Sequence, residues 1–237
     1  MQLQVIETGE SPTPLNGQFG GYSAMIERAL VPPSLGFSLS TTPVFRGAAP
    51  PSLGAFDAII ITGSPAGVYE GHDWITPTQD FLRRAIAAGK PTVGICFGHQ
   101  LLAQAFGGKV EKSAKGWGVG IHSYDMTSSA EWMKPMQSRI NCVVHHQDQV
   151  TRPPEGARIL GGSEFCPNGV IEYAQGPAIS FQQHPEFSAE YAAALMRLRA
   201  DRVPKDRISA GFDSLAQKSD HSVMGEWISK FLMQHAR

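Results

Sequence analysis

The sequence predicts an α/β domain built on a doubly wound, mostly parallel sheet with an antiparallel extension. Three observations carry that expectation. Short apolar runs bounded by turn residues alternate with segments of helical period through the first half of the chain. One of these runs, 57–62 (DAIIIT), is continuously apolar in its middle, as in a strand buried on both faces. The second half holds several short strand candidates joined by tight connections, which suits antiparallel pairing.

Taken in order, residues 3–6 read as a first strand, 8–20 as a loop and 22–30 as a helix. Residues 37–44 suit a second strand, and the Pro-rich 48–51 is a loop before the strand at 57–62. A helix is expected over 76–88, closed by Gly89 ahead of Pro91. A strand at 92–95 runs into a helix over 97–106 that Gly107 and Gly108 stop. Strands follow at 119–126, 140–145, 158–161, 170–173 and 178–182. Helices are expected at 189–199 and 223–235, with 201–220 a polar loop holding a helical turn. This makes residues 1–200 one domain, with 201–237 a loop and helix packed onto it.

Composition narrows the function classes. With 237 residues, 42% of them hydrophobic, the chain can bury a core that needs no disulfide or metal. Lys plus Arg (20) nearly balance Asp plus Glu (21), and no basic run tracks a phosphate backbone, so no nucleic-acid partner is expected. No stretch approaches 18 apolar residues, so no membrane helix is expected, and the first residues, MQLQVIETGESP, read as a strand rather than a leader. Cys96, Cys142 and Cys166 form no CxxC pair and no even framework, which points to a reducing, cytoplasmic setting and leaves a lone cysteine free for chemistry.

That chemistry centres on GICFGHQ, residues 94–100, where Cys96 stands between a buried strand and a helix and is flanked by Gly94 and Gly98. This is the sulfur form of a nucleophile elbow, and chance would supply only about 0.03 such G-x-C-x-G arrangements in this composition. The glycines admit a strained turn and close backbone approach. A thiol at a helix N-terminus meets unpaired N–H groups and the positive end of the dipole, which favours thiolate. The Phe97 amide points where an oxyanion would form. A thiolate needs a base, and the base needs an orienting group. His184, after a late strand and followed by Pro185 and Glu186, supplies both, because the carboxylate two residues on can reach back to the imidazole.

These segments resemble the class I, triad-type glutamine amidotransferases over residues 2–187, most of the chain. GICFGHQ resembles the family's G-x-C-x-G-x-Q motif and QQHPEFS its His-x-Glu motif. ITGSPAGVYE is similar to the loop that completes the oxyanion hole, and VHHQDQV to the His-Gly-Asp segment near the glutamine site. The resemblance implies a flavodoxin-like sheet, with Cys96 as nucleophile, His184 as general base and acid, and Glu186 as its orienter. It further implies an oxyanion hole from Gly63, Ser64 and Phe97, and substrate contacts from Gln100 and from backbone near His146. Two departures stand out: Gly63-Ser64-Pro65 where the family commonly has Gly-Gly-Pro, and Gln147 in place of the glycine. GICFGHQ and HQDQV are most similar to the stand-alone branch that includes γ-glutamyl peptidases.

The expected reaction is acyl transfer through a γ-glutamyl thioester, with no cofactor. Three readings remain: a glutaminase subunit feeding ammonia to a separate synthetase subunit, a free-standing γ-glutamyl hydrolase or peptidase, and a catalytically silent regulatory module. The substrate is expected to be glutamine or a γ-glutamyl small molecule. No P-loop, Rossmann fingerprint or nucleotide loop accompanies the motifs, so the chain by itself is not expected to activate an acceptor with ATP. The pair His145 and His146 with Asp148 lacks further ligands at zinc spacing, so no metal is expected. His99 reads as a satisfied histidine at a pocket edge, Cys142 and Cys166 as inert thiols, and Trp117 equally as pocket wall or as core.

Overall fold

The computed structural model describes residues 1–236; Arg237, the last residue of the predicted 201–237 segment, lies outside the described residues. The chain begins with β1 (Gln2–Glu7), α1 (Thr13–Phe19), α2 (Tyr22–Ala29), β2 (Ser38–Pro43) and β3 (Ala58–Ile61). It continues through α3 (Ile75–Ala87), β4 (Thr92–Ile95), α4 (Phe97–Ala105), β5 (Lys109–Lys112), β6 (Gly118–Met126) and β7 (Arg139–His146). Then come β8 (Asp148–Arg152), β9 (Arg158–Gly162), β10 (Val170–Glu172), β11 (Ala178–Phe181), α5 (Ala189–Leu198), α6 (Lys205–Ser214) and α7 (His221–His235).

Nine strands form one sheet in the order β2-β1-β3-β4-β11-β10-β9-β6-β7, and β5 pairs with β8 in a separate antiparallel ribbon. The half from β2 to β11 is parallel, and from β11 onward every pairing is antiparallel. The sheet is thus a doubly wound parallel half carrying an antiparallel extension, as the alternation of elements predicts.

Strand periodicity explains the two cores. Along β3, Ala58 and Ile60 face one side while Ile59 and Ile61 face the other, and all four are fully buried. Such a strand must be apolar at every position, because helices cover both faces. Trp227, Ile228 and Phe231 of α7 and Ile26 of α2 pack on the first face, and Phe81 and Leu82 of α3 with Leu101 and Leu102 of α4 pack on the second. Burying each such side chain contributes roughly 1.5–3 kcal/mol.

Three expectations need correction. Residues 8–20 contain α1, a two-turn helix with Pro14 in its first turn and Gly17 inside it, so propensity alone favoured a loop. Residues 201–220 hold α6, ten residues long rather than one turn. That helix depends on tertiary contact: Gly211 lies flush against Val119, and the Ser214 hydroxyl accepts from the Ile121 amide at 2.8 Å. Strands β5 and β8 were not anticipated, since each carries a single buried valine, Val110 or Val150, too little alternation to register as a pattern.

Candidate active site

The site lies at the carboxyl ends of β3, β4 and β11, the edge where open parallel sheets bind ligands. Cys96 caps α4 with φ +50°, and it is the one non-glycine residue at positive φ among the described residues. That backbone costs of order 1–3 kcal/mol and persists only where its surroundings enforce it. Here the Cys96 amide donates to the Phe181 carbonyl at 2.8 Å, and its carbonyl receives the Gln100 amide at 3.1 Å. The flanking glycines are required by space. A Cβ on Gly94 would lie 2.5 Å from the Gly98 carbonyl oxygen, and one on Gly98 would lie 2.6 Å from that of Ile61. Helix α4 therefore sits against β3 and β4 at a distance only glycine permits.

His184 and Glu186 leave β11 in an irregular segment that ends where the Ser188 hydroxyl caps α5 by accepting the Tyr191 amide at 3.1 Å. The His184 amide is tied to Val143 of β7 at 2.8 Å, and its ring stacks on Phe187 at 4.0 Å with 5° between planes. Nδ1 faces Glu186 Oε1 at 2.7 Å, and both side chains are buried. Burial opposes a charge on His184, but negative charge at Cys96 and Glu186, with hydrogen bonds to both, outweighs it and holds the pKa up at about 10. Gly63 completes the cluster: a Cβ there would lie 2.9 Å from His184 Cε1 and 3.8 Å from Cys96 Cβ. The amides of Gly63, Ser64 and Phe97 donate no hydrogen bond among the described residues.

Cys96 opens into a cavity of about 150 Å³ whose lining includes Ser64, Gln100, Trp117, His146, Asp148 and Arg199. Gln100 donates through Nε2 to the Asp148 carbonyl at 2.9 Å and to Gln182 Oε1 at 3.2 Å. His146 also lines the cavity, its Nδ1 3.0 Å from the Asp148 carbonyl, and burial pushes its pKa down to about 3. Trp117, half-buried, lines the cavity and packs on His145 at 5.5 Å. His99 stands away from this lining, fully buried with Nδ1 2.8 Å from the Ser180 hydroxyl. Cys142 and Cys166 are buried, and burial raises both thiols, Cys166 to about 12. A larger cavity, about 800 Å³, lies behind Glu186 and Phe187 but is lined by neither Cys96 nor His184, so the smaller one is the site of interest.

Two contributors escaped the sequence reading. Gln182 donates through Nε2 toward Cys96 Sγ at 3.6 Å, and its only signal was its place two residues before His184. Arg199 enters the cavity lining from the end of α5, and its side chain makes no hydrogen bond or ion pair among the described residues. Nothing local distinguishes it from other arginines.

The chain is similar to known proteins over most of its length. A glutamine amidotransferase-like protein of Schizosaccharomyces pombe is 31% identical over 182 residues, covering 75% of this chain and 73% of that one. Gamma-glutamyl peptidase 2 of Arabidopsis thaliana is 29% identical over 154 residues, 63% of this chain and 60% of that relative. The crystal structure of a glutamine amidotransferase from Thermotoga maritima matches with a TM-score of 0.77 at 18% identity, over 99% of this chain and 97% of that one. A family model, glutamine amidotransferase class-I, matches residues 19–199, and the chain belongs to that family.

Proposed function

We propose that the protein hydrolyses the γ-amide bond of glutamine or of a γ-glutamyl compound, with Cys96 as nucleophile, His184 as proton carrier and Glu186 as its orienter. The observation that carries this reading is the convergence of the Cys96 elbow, the His184–Glu186 pair at 2.7 Å and Gly63 on one point. With Nδ1 committed to Glu186, the other ring nitrogen of His184 serves the sulfur. The Cys96 thiolate attacks the γ-carbonyl carbon, the carbonyl π electrons move to oxygen, and the amides of Phe97 and of the Gly63–Ser64 loop receive the oxyanion. His184 protonates the departing nitrogen, the C–N bond breaks, and a γ-glutamyl thioester and an amine or ammonia result. Water attacks the thioester as His184 takes its proton, and the C–S bond breaks to release glutamate. Gln182 supports negative charge on sulfur, and Gln100 and the backbone about His146 face the glutamyl group.

Arg199 favours γ-glutamyl peptides over free glutamine. It places an unpaired cation in the wall of the Cys96 cavity, where it can receive the carboxylate of an amino-acid or peptide leaving group, whereas ammonia offers it nothing. The test is glutamate release by purified protein from glutamine, γ-glutamyl dipeptides and a glutathione conjugate. Arg199→Met is expected to lower kcat/KM for a γ-glutamyl dipeptide about tenfold or more, and far less for its C-terminally amidated form, as loss of a charge-assisted hydrogen bond dictates. No release from any of these, with strong glutamine hydrolysis once a synthetase chain is added, would establish the partnered subunit instead.

A further inference from the structure

Just behind the cavity wall, two threonines outside the catalytic set meet the oxyanion loop. Thr8 follows β1 and Thr62 follows β3, and each is 1% exposed. The Thr8 amide donates to Thr62 Oγ1 at 3.0 Å, leaving the Thr62 hydroxyl to donate to the Gly63 carbonyl at 3.0 Å. Thr8 Oγ1 lies 2.9 Å from the Thr62 carbonyl, 3.2 Å from that of Gly63 and 3.3 Å from Thr62 Oγ1, so its single proton serves one of these at a time. The Gly98 amide of α4 reaches the same Thr62 carbonyl at 3.2 Å. Both carbonyls of the loop are thereby held from the interior.

A trans peptide is planar, and its C=O and N–H point to opposite sides. Within the described residues the one cis bond lies elsewhere, at Lys134–Pro135, so the Gly63–Ser64 peptide is trans. Holding the Gly63 carbonyl toward Thr8 and Thr62 turns the Ser64 N–H the other way, and Ser64 lines the Cys96 cavity while the two threonines do not. The loop is also hemmed in from β1: a Cβ on Gly9 would lie 2.8 Å from Pro65 Cδ and 3.0 Å from Ser64 Cα. We propose that Thr8 and Thr62 are positioning residues, a buried hydroxyl clamp that keeps the Ser64 amide turned into the oxyanion site with no partner protein required. The idea rests on the hydrolytic reading above, and it explains how serine serves where the resemblance would place a glycine.

The test uses Thr8→Val, Thr62→Val, the double variant and Thr62→Ser in the full chain, with thermal unfolding recorded for each. Removing one oxyanion donor costs about 10²–10³ in kcat. The double variant should approach that loss with KM nearly unchanged, and Thr62→Ser, which keeps the hydroxyl, should recover most of it. Alkylation of Cys96 by iodoacetamide passes through no oxyanion, so its rate and pH profile should stay at the wild-type level. Unchanged kcat in the double variant would overturn the proposal, and so would an alkylation rate that falls in step with kcat. Crystal structures of wild type and double variant read the peptide without turnover. A wild-type Gly63 carbonyl turned into the cavity would refute the clamp even in a protein that hydrolyses nothing, whereas an inward Ser64 amide in an inactive protein would refute only the hydrolytic reading.

Discussion

Gly98→Ala tests how closely the chemistry depends on the approach of α4 to β3. The added Cβ would lie 2.6 Å from the Ile61 carbonyl oxygen, 2.9 Å from Ile61 Cβ and 3.0 Å from Ile61 Cγ2, two of these being backbone-bound atoms that cannot rotate away. Reaching an ordinary 3.4 Å contact requires the helix start to retreat by about 0.8 Å. The residue before it, Phe97, supplies one expected oxyanion amide, and the Gly98 amide itself holds the Thr62 carbonyl at 3.2 Å. The displacement therefore reaches both halves of the oxyanion site at once. Overpacking of this kind costs about 1–3 kcal/mol of stability, which a protein of this size tolerates. A misplacement near 1 Å at the reacting centre costs on the order of 10²-fold in rate. The expected outcome is a folded protein with a lowered unfolding midpoint, kcat down about a hundredfold, and Cys96 still alkylated by iodoacetamide. The assays are urea unfolding, glutamate release and mass-spectrometric labelling. Wild-type kcat together with a wild-type unfolding midpoint would show that the helix is not seated on β3 as described.

Three further outcomes are expected. Cys96→Ser should fold yet form no acyl-enzyme, while Cys142→Ala and Cys166→Ala keep near-full turnover; a glutamine-analogue alkylator mapped by mass spectrometry to Cys142 or Cys166 would contradict the assignment. His184→Ala should lose at least 10²–10⁴-fold in activity, the range of a general acid–base, and Glu186→Gln should lose less, as the proposed orienting role requires; equal, complete loss in both folded variants would give Glu186 a larger part. Acid should unfold the protein early, because burial lowers His99, His145 and His146 from 6.5 to about 3 each. Their neutral forms stabilise the fold above pH 6.5, and that stability is lost as pH falls from 6.5 toward 3. With these three histidines binding about three more protons in the unfolded chain, their share of the slope between pH 6 and 5 is roughly 4 kcal/mol per pH unit, and His122, also lowered by burial, acts in the same direction. His184, raised to about 10, stays protonated throughout that window and adds nothing to the slope; its contribution is lost only as pH rises from 6.5 through 10. Chemical unfolding measured at pH 7, 6 and 5 checks this, and equal stability at all three would exclude three neutral buried histidines.

Local pattern sufficed wherever function and fold are written in neighbouring residues. The apolar run of β3, the glycine-flanked Cys96 at the β4–α4 junction, and the two-residue step from His184 to Glu186 are short-range features, so the order of elements and the candidate nucleophile and base were legible in the chain. Helix α6 was not, because Gly211 weakens it locally and contact with β6 restores it. Strands β5 and β8 were not, because each is stabilised by pairing with the other across some forty residues rather than by its own alternation. The same holds for the supporting groups of the site. Arg199, Thr8 and Thr62 carry no spacing that marks them, and Gln182 only its place two residues before His184; the four come together only when β1, β3, β11 and the end of α5 meet around Cys96. A hydrogen bond across 54 residues, such as that from the Thr8 amide to Thr62, depends on how strands are ordered in the sheet. Periodicity specifies which face of a strand is buried, but only the packed sheet specifies which residue stands opposite which.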